Sequence, residues 1–395
     1  MKFAHMADCH IGGWREPVLR EASVRAFVTA IDSCIEKNVD FIIISGDLFN
    51  TSLPAIDKLK VVVEKLKELK DREIPVYIIA GSHDFSPSGK TMIDVLEKAG
   101  LVTNVVKGFV ENNQLNLNFT IDRKTGAKIA GMLGKKGMLE KKFYETLNLD
   151  SLERESGYKI FIFHTAITEL KTPELEKMDS SSISLLPKNF NYYAGGHVHD
   201  VIKTTLENYG TIAFPGALFP NNFKELEKFG NGGFYIIEDG EMEWVGVNIH
   251  KKFSIRIDCD EKTTAEIESE IRKQAEGKDF ENTIVTLRLY GLLREGKPLD
   301  IDFREIVSGI TEKGAVAVLK NINSLVSRQF EAIRVSGSVE NIEERLFEEH
   351  LSQLGMAKDD AMAIALVLAK EKQEGEKTAE FEQRLLEEAR KLLGI

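Results

Sequence analysis

The apolar positions of roughly the first 220 residues come in short runs separated by amphipathic stretches, a pattern that predicts an α/β unit. The runs are Lys2–Ala7, Val39–Ser45, Pro75–Ala80, Lys159–Phe163 and Tyr192–Gly195. Between the second and third, Ile56, Leu59, Val63, Leu66 and Leu69 recur at spacings of three and four among lysines and glutamates, the period of a helix. A hairpin is predicted around Leu115–Met132 with its turn at Asp122–Gly126, and a second from Gly233–Ile237 to Glu243–Ile249 across Asp239-Gly240. From about Phe253 the texture changes. A strand (FSIRID), the helix Thr264–Glu276, the strand Thr283–Leu289, the helix Phe303–Glu312 and the strand Ala315–Leu319 predict a small second α/β domain. Past a Ser336-Gly337-Ser338 break the chain reads as helical throughout. There Ile342, Leu346, Phe347 and Leu354 form one stripe and Phe381, Leu385, Leu386, Ala389 and Leu392 another, with the nearly continuous apolar segment Ala361–Ala369 between them.

Length, composition and charge add to this picture. At 395 residues the chain is too long for one compact domain, so two or three units are expected. No apolar run approaches the roughly 20 residues that cross a bilayer, and Met1–His10 lacks a secretory pattern. Cys9, Cys34 and Cys259 are odd in number and far apart, which excludes a zinc ribbon and fits a reducing cytoplasm. The net charge is −11, of which −6 lies from Val335 onward, leaving −5 for the rest. No global basic footprint for nucleic acid exists, so any DNA contact must come from local patches and bound metal.

Five of the eight histidines follow one rule: they stand at the carboxyl ends of the predicted strands. Asp8 and His10 follow the first, Asp47 the second, and Ser82, His83 and Asp84 the third; His164 ends the fourth, and His197 and His199 follow the fifth. In an open α/β sheet ligands bind beyond these ends, so the groups converge on one crest. Cys9 points away from the side shared by Asp8 and His10, and His5, His250 and His350 are given no role. Two carboxylates with four or five imidazoles suit manganese, iron or zinc better than magnesium. They exceed what one ion needs, and Asp47 can bridge two ions about 3.5–4 Å apart that activate a water for attack on phosphorus. His83 is then free to give a proton to the leaving oxygen, with Asp84 orienting its ring.

The order D-x-H, G-D, G-S-H-D, H, G-H-x-H is similar to that of the calcineurin-like metallophosphoesterases. KFAHMADCHIG at the start, GDLFN (46–50) and FPGALFPNNFKELEKFGNGGF (214–234) resemble one branch, the archaeal double-strand-break repair nucleases of the meiotic-recombination-eleven family, whose bacterial relative is SbcD. The resemblance implies an α/β fold: a sandwich of two β-sheets flanked by helices (residues 1–250), a small α/β capping domain (251–334) and a helical tail (335–395). It implies one ion on Asp8, His10, Asp47 and His199 and another on Asp47, Ser82, His164 and His197, both usually manganese (Mn2+), with His83 catalytic. The implied activities are 3′-to-5′ exonuclease on duplex DNA and endonuclease on single strands. The helices around 56–69 and 92–99 would make a homodimer, and residues 338–395 would grip an SMC-like ABC ATPase of the Rad-fifty (SbcC) family. Trp14, Arg15 and Asn50, in loops near the crest, are the candidate DNA contacts. Two departures stand out. Ser82 replaces the family's asparagine, a hydroxyl for an amide oxygen, and Asn50 stands where many members carry histidine. Two rival readings are a small-molecule phosphodiesterase and a DNA-end scaffold whose catalysis is feeble because of Ser82.

Overall fold

The computed structural model describes residues 1–86, 89–135, 141–327, Val367 and 378–393. In chain order its elements begin β1 (Lys2–Met6), α1 (Pro17–Glu36), β2 (Phe41–Ser45), α2 (Ile56–Asp71), β3 (Val76–Ile79), α3 (Met92–Lys98) and β4 (Thr103–Asn104). There follow β5 (Gly108–Glu111), β6 (Gln114–Leu117), β7 (Thr120–Ile121), β8 (Lys128–Gly131), α4 (Lys141–Glu145), α5 (Leu149–Glu153), β9 (Lys159–His164), β10 (Ala166–Ile167) and β11 (Ser180–Ser181). Next are β12 (Tyr192–Gly196), β13 (Ile202–Thr205), β14 (Thr211–Phe214), α6 (Phe223–Lys228), β15 (Gly232–Glu238) and β16 (Glu241–Val247). The last are β17 (Lys251–Asp258), α7 (Thr264–Ala275), β18 (Thr283–Leu293), α8 (Phe303–Thr311), β19 (Ala315–Ser327) and α9 (Thr378–Leu393).

Two six-stranded sheets carry the crest. One runs β16-β15-β1-β2-β3-β4 and the other β13-β14-β12-β9-β8-β7. In each, four consecutive strands are parallel: β1 to β4 in the first, and β14, β12, β9 and β8 in the second. All their carboxyl ends therefore lie at one edge. The strands are apolar without alternation (FIIIS in β2, KIFIFH in β9) because both faces of each sheet are covered. Phe3, Phe41, Ile43 and Ile79 of the first sheet form one buried cluster with Ile129, Ile160, Ile162 and Tyr192 of the second. Ala4, Ile42, Ile44 and Ile78 turn the other way, onto Leu19, Phe27 and Ile31 of α1 and Val62 and Leu66 of α2. On the far side of the second sheet, Phe161, Phe163 and Tyr193 pack with Tyr144, Leu152 and Phe190. This is the expected sandwich of two sheets flanked by helices.

Some details differ from the sequence reading. Within Leu115–Met132, β7 pairs β8 across the Asp122–Gly126 turn, but β6 turns back at Asn112-Asn113 to pair β5. One expected hairpin is thus two short ones, because the chain at residues 118–119 leaves the ladder. The Asp239-Gly240 hairpin forms as read, with both residues at positive φ. Among residues from 251 on, β17, β18 and β19 form a three-stranded sheet, with β18 and β19 reaching Leu293 and Ser327, well past the expected ends.

By its contacts the chain divides into two units, residues 1–256 with 271–288 and 303–321, and residues 257–270 with 289–302 and those from 322 on. In the first, Arg272 pairs with Glu305; in the second, Lys262 pairs with Glu270 and Arg294 with Glu266. The Ile342–Leu354 stripe, the Ser-Gly-Ser break and, apart from Val367, the Ala361–Ala369 segment lie outside the described residues. Among the described residues, no helix is long and apolar enough to cross a membrane.

Candidate metal centre

Each crest residue sits where a strand gives way to a loop, and the backbone there is unusual. Asp8, His10, Asp47 and His197 all have left-handed φ, of 48°, 41°, 51° and 80°. Such values are uncommon outside glycine and concentrate at functional sites. The loops cross-brace each other, Asp8 N–H donating to Gly46 O at 3.2 Å and His10 N–H to Asp47 O at 3.0 Å. Gly46 is required twice over: its φ is +90°, and an added Cβ would lie 2.3 Å from His164 Nδ1.

The side chains converge as the strand ends demand. Asp8, His10 and His199 form one group whose donor atoms lie within 4.8 Å of one another, and Asp8, Asp47 and His164 another. His10, Asp47 and His83 form a third. His164 Nε2 lies 3.2 Å from Asp47 Oδ2 and 4.0 Å from Asp8 Oδ1, and His199 Nε2 lies 3.7 Å from Asp8 Oδ1 and 3.2 Å from His10 Nε2. Metal bonds of about 2.0–2.2 Å place neighbouring donors about 3–3.5 Å apart, so these separations suit an ion with little movement. Ser82 Oγ reaches Asp47 Oδ2 at 3.4 Å, and the His197 and His164 rings stand 5.3 Å apart. His197 N–H donates to both Asp8 oxygens, at 3.1 and 3.0 Å.

Two observations test whether these residues fit metal. First, His10 Nδ1 is a buried ring nitrogen without a hydrogen-bond partner, which native interiors rarely leave, and His164 Nε2 has only the Asp47 carboxylate, 3.2 Å away, to answer it. Second, without an ion the cluster is held by protons. Burial alone would depress His164, yet the charge of Asp47 and its hydrogen bond, with Asp8 behind, lift it to about 9. Burial opposes His199 too, and its hydrogen bonds to Asp8 and Glu225 hold it well above the ordinary value. Asp8 and Asp47 sit below the usual carboxylate range despite burial, through His199 and His164 respectively. His10 and His197, by burial and by repulsion from those two imidazoles, fall to about 4. The site thus places positive charge where cations would stand. The donor set fits two divalent ions.

One expected role is corrected. Asp84 does not orient the His83 ring, because its oxygens staple the loops, accepting from Phe49 N–H at 3.2 Å and Gly81 N–H at 2.9 Å. Burial first, then the Asp47 charge, raises its pKa to about 7. The His83 ring is held by Asn50 instead, Nδ1–H donating to the Asn50 carbonyl at 2.9 Å, while His83 N–H binds Asp47 Oδ1 at 2.7 Å. The Trp14 indole N–H is tied to Pro220 O at 2.8 Å, and Arg15 is exposed. Glu225 is the residue that sequence reasoning passed over. Its Oε1 accepts from His199 Nδ1 at 2.8 Å and its Oε2 from Asn221 N–H at 2.7 Å, fixing the ring that faces Asp8. The signal was present as Asn222-x-x-Glu225, a helix start, and Asn222 does cap α6. A cavity of about 330 Å³ opens over the crest, lined by His10, Asp47, Ser82, His83, His197 and His199 among others.

The family described as calcineurin-like phosphoesterase matches residues 1–201, just over half of the chain. The chain belongs to the calcineurin-like phosphoesterase family. Within this phosphoesterase family it is similar to the DNA double-strand break repair protein Mre11 of Archaeoglobus fulgidus, at 28% identity over 65% of this chain and 62% of that one. It is also similar to the protein of that name from Methanococcus maripaludis, at 30% identity over 60% and 62%. The match thus spans 62% of the length of these curated relatives. Among solved structures, a dimetal phosphatase from Danio rerio aligns over 62% of this chain and 95% of its own at 11% identity, with a TM-score of 0.39.

Proposed function

We propose that this phosphoesterase is a DNA nuclease that processes double-strand ends, using two divalent ions, manganese first among them. The observation that carries the reading is the crest itself, where two buried carboxylates and the ring nitrogens of buried imidazoles gather in groups within 4.8 Å of one another. The similarity to DNA double-strand break repair proteins supplies the substrate class. Asp8, His10, Asp47 and His199 would hold one ion and Asp47, Ser82, His164 and His197 the other, and such a pair would supply charge neutralisation at phosphate oxygens and a water of lowered pKa. The chain's own residues do the rest. Asp47 is pinned by His83 N–H so that its second oxygen faces His164. His83, with Nδ1–H committed to the Asn50 carbonyl, keeps Nε2 to hold or give a proton at the leaving oxygen. Glu225 keeps His199 aimed at Asp8.

The reading includes 3′-to-5′ exonuclease action on duplex ends, endonuclease action on single strands, and a division into nuclease domain (1–250), capping domain (251–334) and tail (335–395). The tail would bind an SMC-like ATPase in the cytoplasm. Exposed Leu53, Ile56 and Val95, in and beside α2 and α3, support a homodimer through those helices. The second reading, a DNA-end scaffold with feeble catalysis, draws on Ser82, whose hydroxyl already leans on Asp47.

The test is degradation of end-labelled duplex DNA with manganese or magnesium, beside Asp47→Ala. Manganese-dependent nucleotide release that Asp47→Ala abolishes is expected. If the protein binds manganese yet releases nothing, the nuclease reading fails and a scaffold or a small phosphodiester takes its place.

A further inference from the structure

We infer that the ion pair between Glu227 and Arg288 is a strut that positions the crest histidine His199; the inference rests on the reading that His199 faces an ion. The strut runs through α6, which has six residues and is too short to hold its own geometry. Toward the crest, Glu225 grips His199 Nδ1 at 2.8 Å. Two residues on, Glu227 accepts from Arg288 Nε at 3.1 and 2.8 Å and from Arg288 Nη2 at 2.5 Å. At 3.6 residues per turn, side chains two apart project about 200° from each other. One side of the helix is therefore committed to the imidazole and the other to the guanidinium. The pair is largely removed from water, with Glu227 10% and Arg288 21% exposed. The guanidinium also covers the Phe223 ring at 5.1 Å, and Lys252 Nζ donates to the Glu227 carbonyl at 2.6 Å. Strands β17 and β18 thus hold the outer side of α6 at three points.

The consequence is asymmetric. His199 Nε2 is a donor of the Asp8–His10–His199 group, 3.7 Å from Asp8 Oδ1. Asp47 and His164 take their positions from the ends of β2 and β9, with His164 Nδ1–H on Ser45 O at 2.7 Å, and owe nothing to α6. Loosening the strut releases one ion and spares the other.

The experiment is a manganese titration of the full chain by calorimetry, with free Mn2+ counted by paramagnetic resonance. Arg288→Met is expected to weaken one of two sites about tenfold, the scale of losing an outer-shell partner, and to leave the other within about twofold. Arg288→Lys, which keeps the charge but not the fork, covers the case in which Arg288→Met does not fold, and should weaken the same site by about threefold. Exchanging the pair (Glu227→Arg with Arg288→Glu) should restore most of the affinity. Arg272→Met, which breaks the exposed pair with Glu305, should change neither site. Unchanged affinities in both Arg288 variants overturn the strut, as do equal losses at both sites or the same loss in Arg272→Met. A wild-type chain that binds no manganese overturns the two-ion reading itself, and the strut with it.

Discussion

The interior between the two sheets and the crest above it both bury histidine among oxygens, and they treat it in opposite ways. His5, on β1, is fully buried with both ring nitrogens engaged, Nδ1 with the Tyr192 hydroxyl at 2.9 Å and Nε2 with Ser45 Oγ at 2.8 Å. His10, five residues on, and His164 are as deeply buried, but His10 Nδ1 has no hydrogen-bond partner and His164 Nε2 faces only the carboxylates of Asp47 and Asp8, at 3.2 and 4.0 Å. Burial alone does not mark a functional imidazole. A convergence of imidazole nitrogens on two buried carboxylates does, because it is a donor set gathered for something the polypeptide does not supply.

The sharpest way to break this contrast is to remove one ring from each region. His164→Ala is expected to cost at least about 100-fold in affinity for one manganese ion, beyond the 10–100-fold typical of outer-shell partners, and also to lower the thermal midpoint of the metal-free protein, because it strands the buried Asp47 carboxylate. His5→Ala should touch stability alone. It strands the Tyr192 and Ser45 hydroxyls in the interior, lowering stability by roughly 2–4 kcal/mol while both metal affinities stay within about twofold. Calorimetric titration and thermal unfolding of the two variants, run side by side, decide the matter; matching profiles would erase the distinction.

The next effect is on pH. Metal-free His164 holds its proton up to about pH 9, and an ion must displace that proton to bind. Apparent affinity should therefore rise as pH approaches 9 and fall by about tenfold for each unit below it, for a one-proton exchange. A manganese affinity that stays flat between about pH 6 and 9 would show that His164 is not displaced. His5 answers at the other end. Burial lowers its pKa to about 3 from an ordinary 6.5, so its neutral form favours the folded chain above 6.5, and that contribution is lost as pH falls through 6.5 toward 3. Acid unfolding should begin in that window, and metal should not shift the part that His5→Ala removes.

The smallest effect concerns Ser82. A hydroxyl is a poorer ligand than an amide oxygen, so Ser82→Asn should tighten the second ion by several-fold, on the order of 1 kcal/mol. Equal affinity in the two proteins would mean that position 82 is not a ligand.

The strand ends that carry Asp8, Asp47, His164 and His197 were readable because buried parallel strands have no alternation and stop at glycine or polar residues. Ser82 and His83 followed by the same logic. The partners that aim those side chains were not readable. Glu225 is 26 residues beyond His199, and the group that holds His83 is a backbone carbonyl, which no side-chain pattern displays. Asp84 was misread for the same reason, since its neighbour in sequence is not its neighbour in hydrogen bonding. Helix α1 carries only a faint stripe, because the face it buries includes Ala22, Ser23, Ala26 and Ala30, small residues that let it lie close to the sheet.

The left-handed backbone at Asp8, His10, Asp47 and His197 narrows the evolutionary alphabet of the crest. Asparagine, aspartate and histidine tolerate that conformation several-fold better than most residues, and glycine tolerates it freely. Two of the residues that the backbone accepts are therefore the two that a divalent ion wants. A drift toward alanine or a branched side chain is resisted by sterics before chemistry is consulted. The cheapest escape, glycine, deletes the side chain while relaxing the backbone. Lineages in which the crest falls out of use should carry that trace, a well-folded crest with glycine where a carboxylate or imidazole stood.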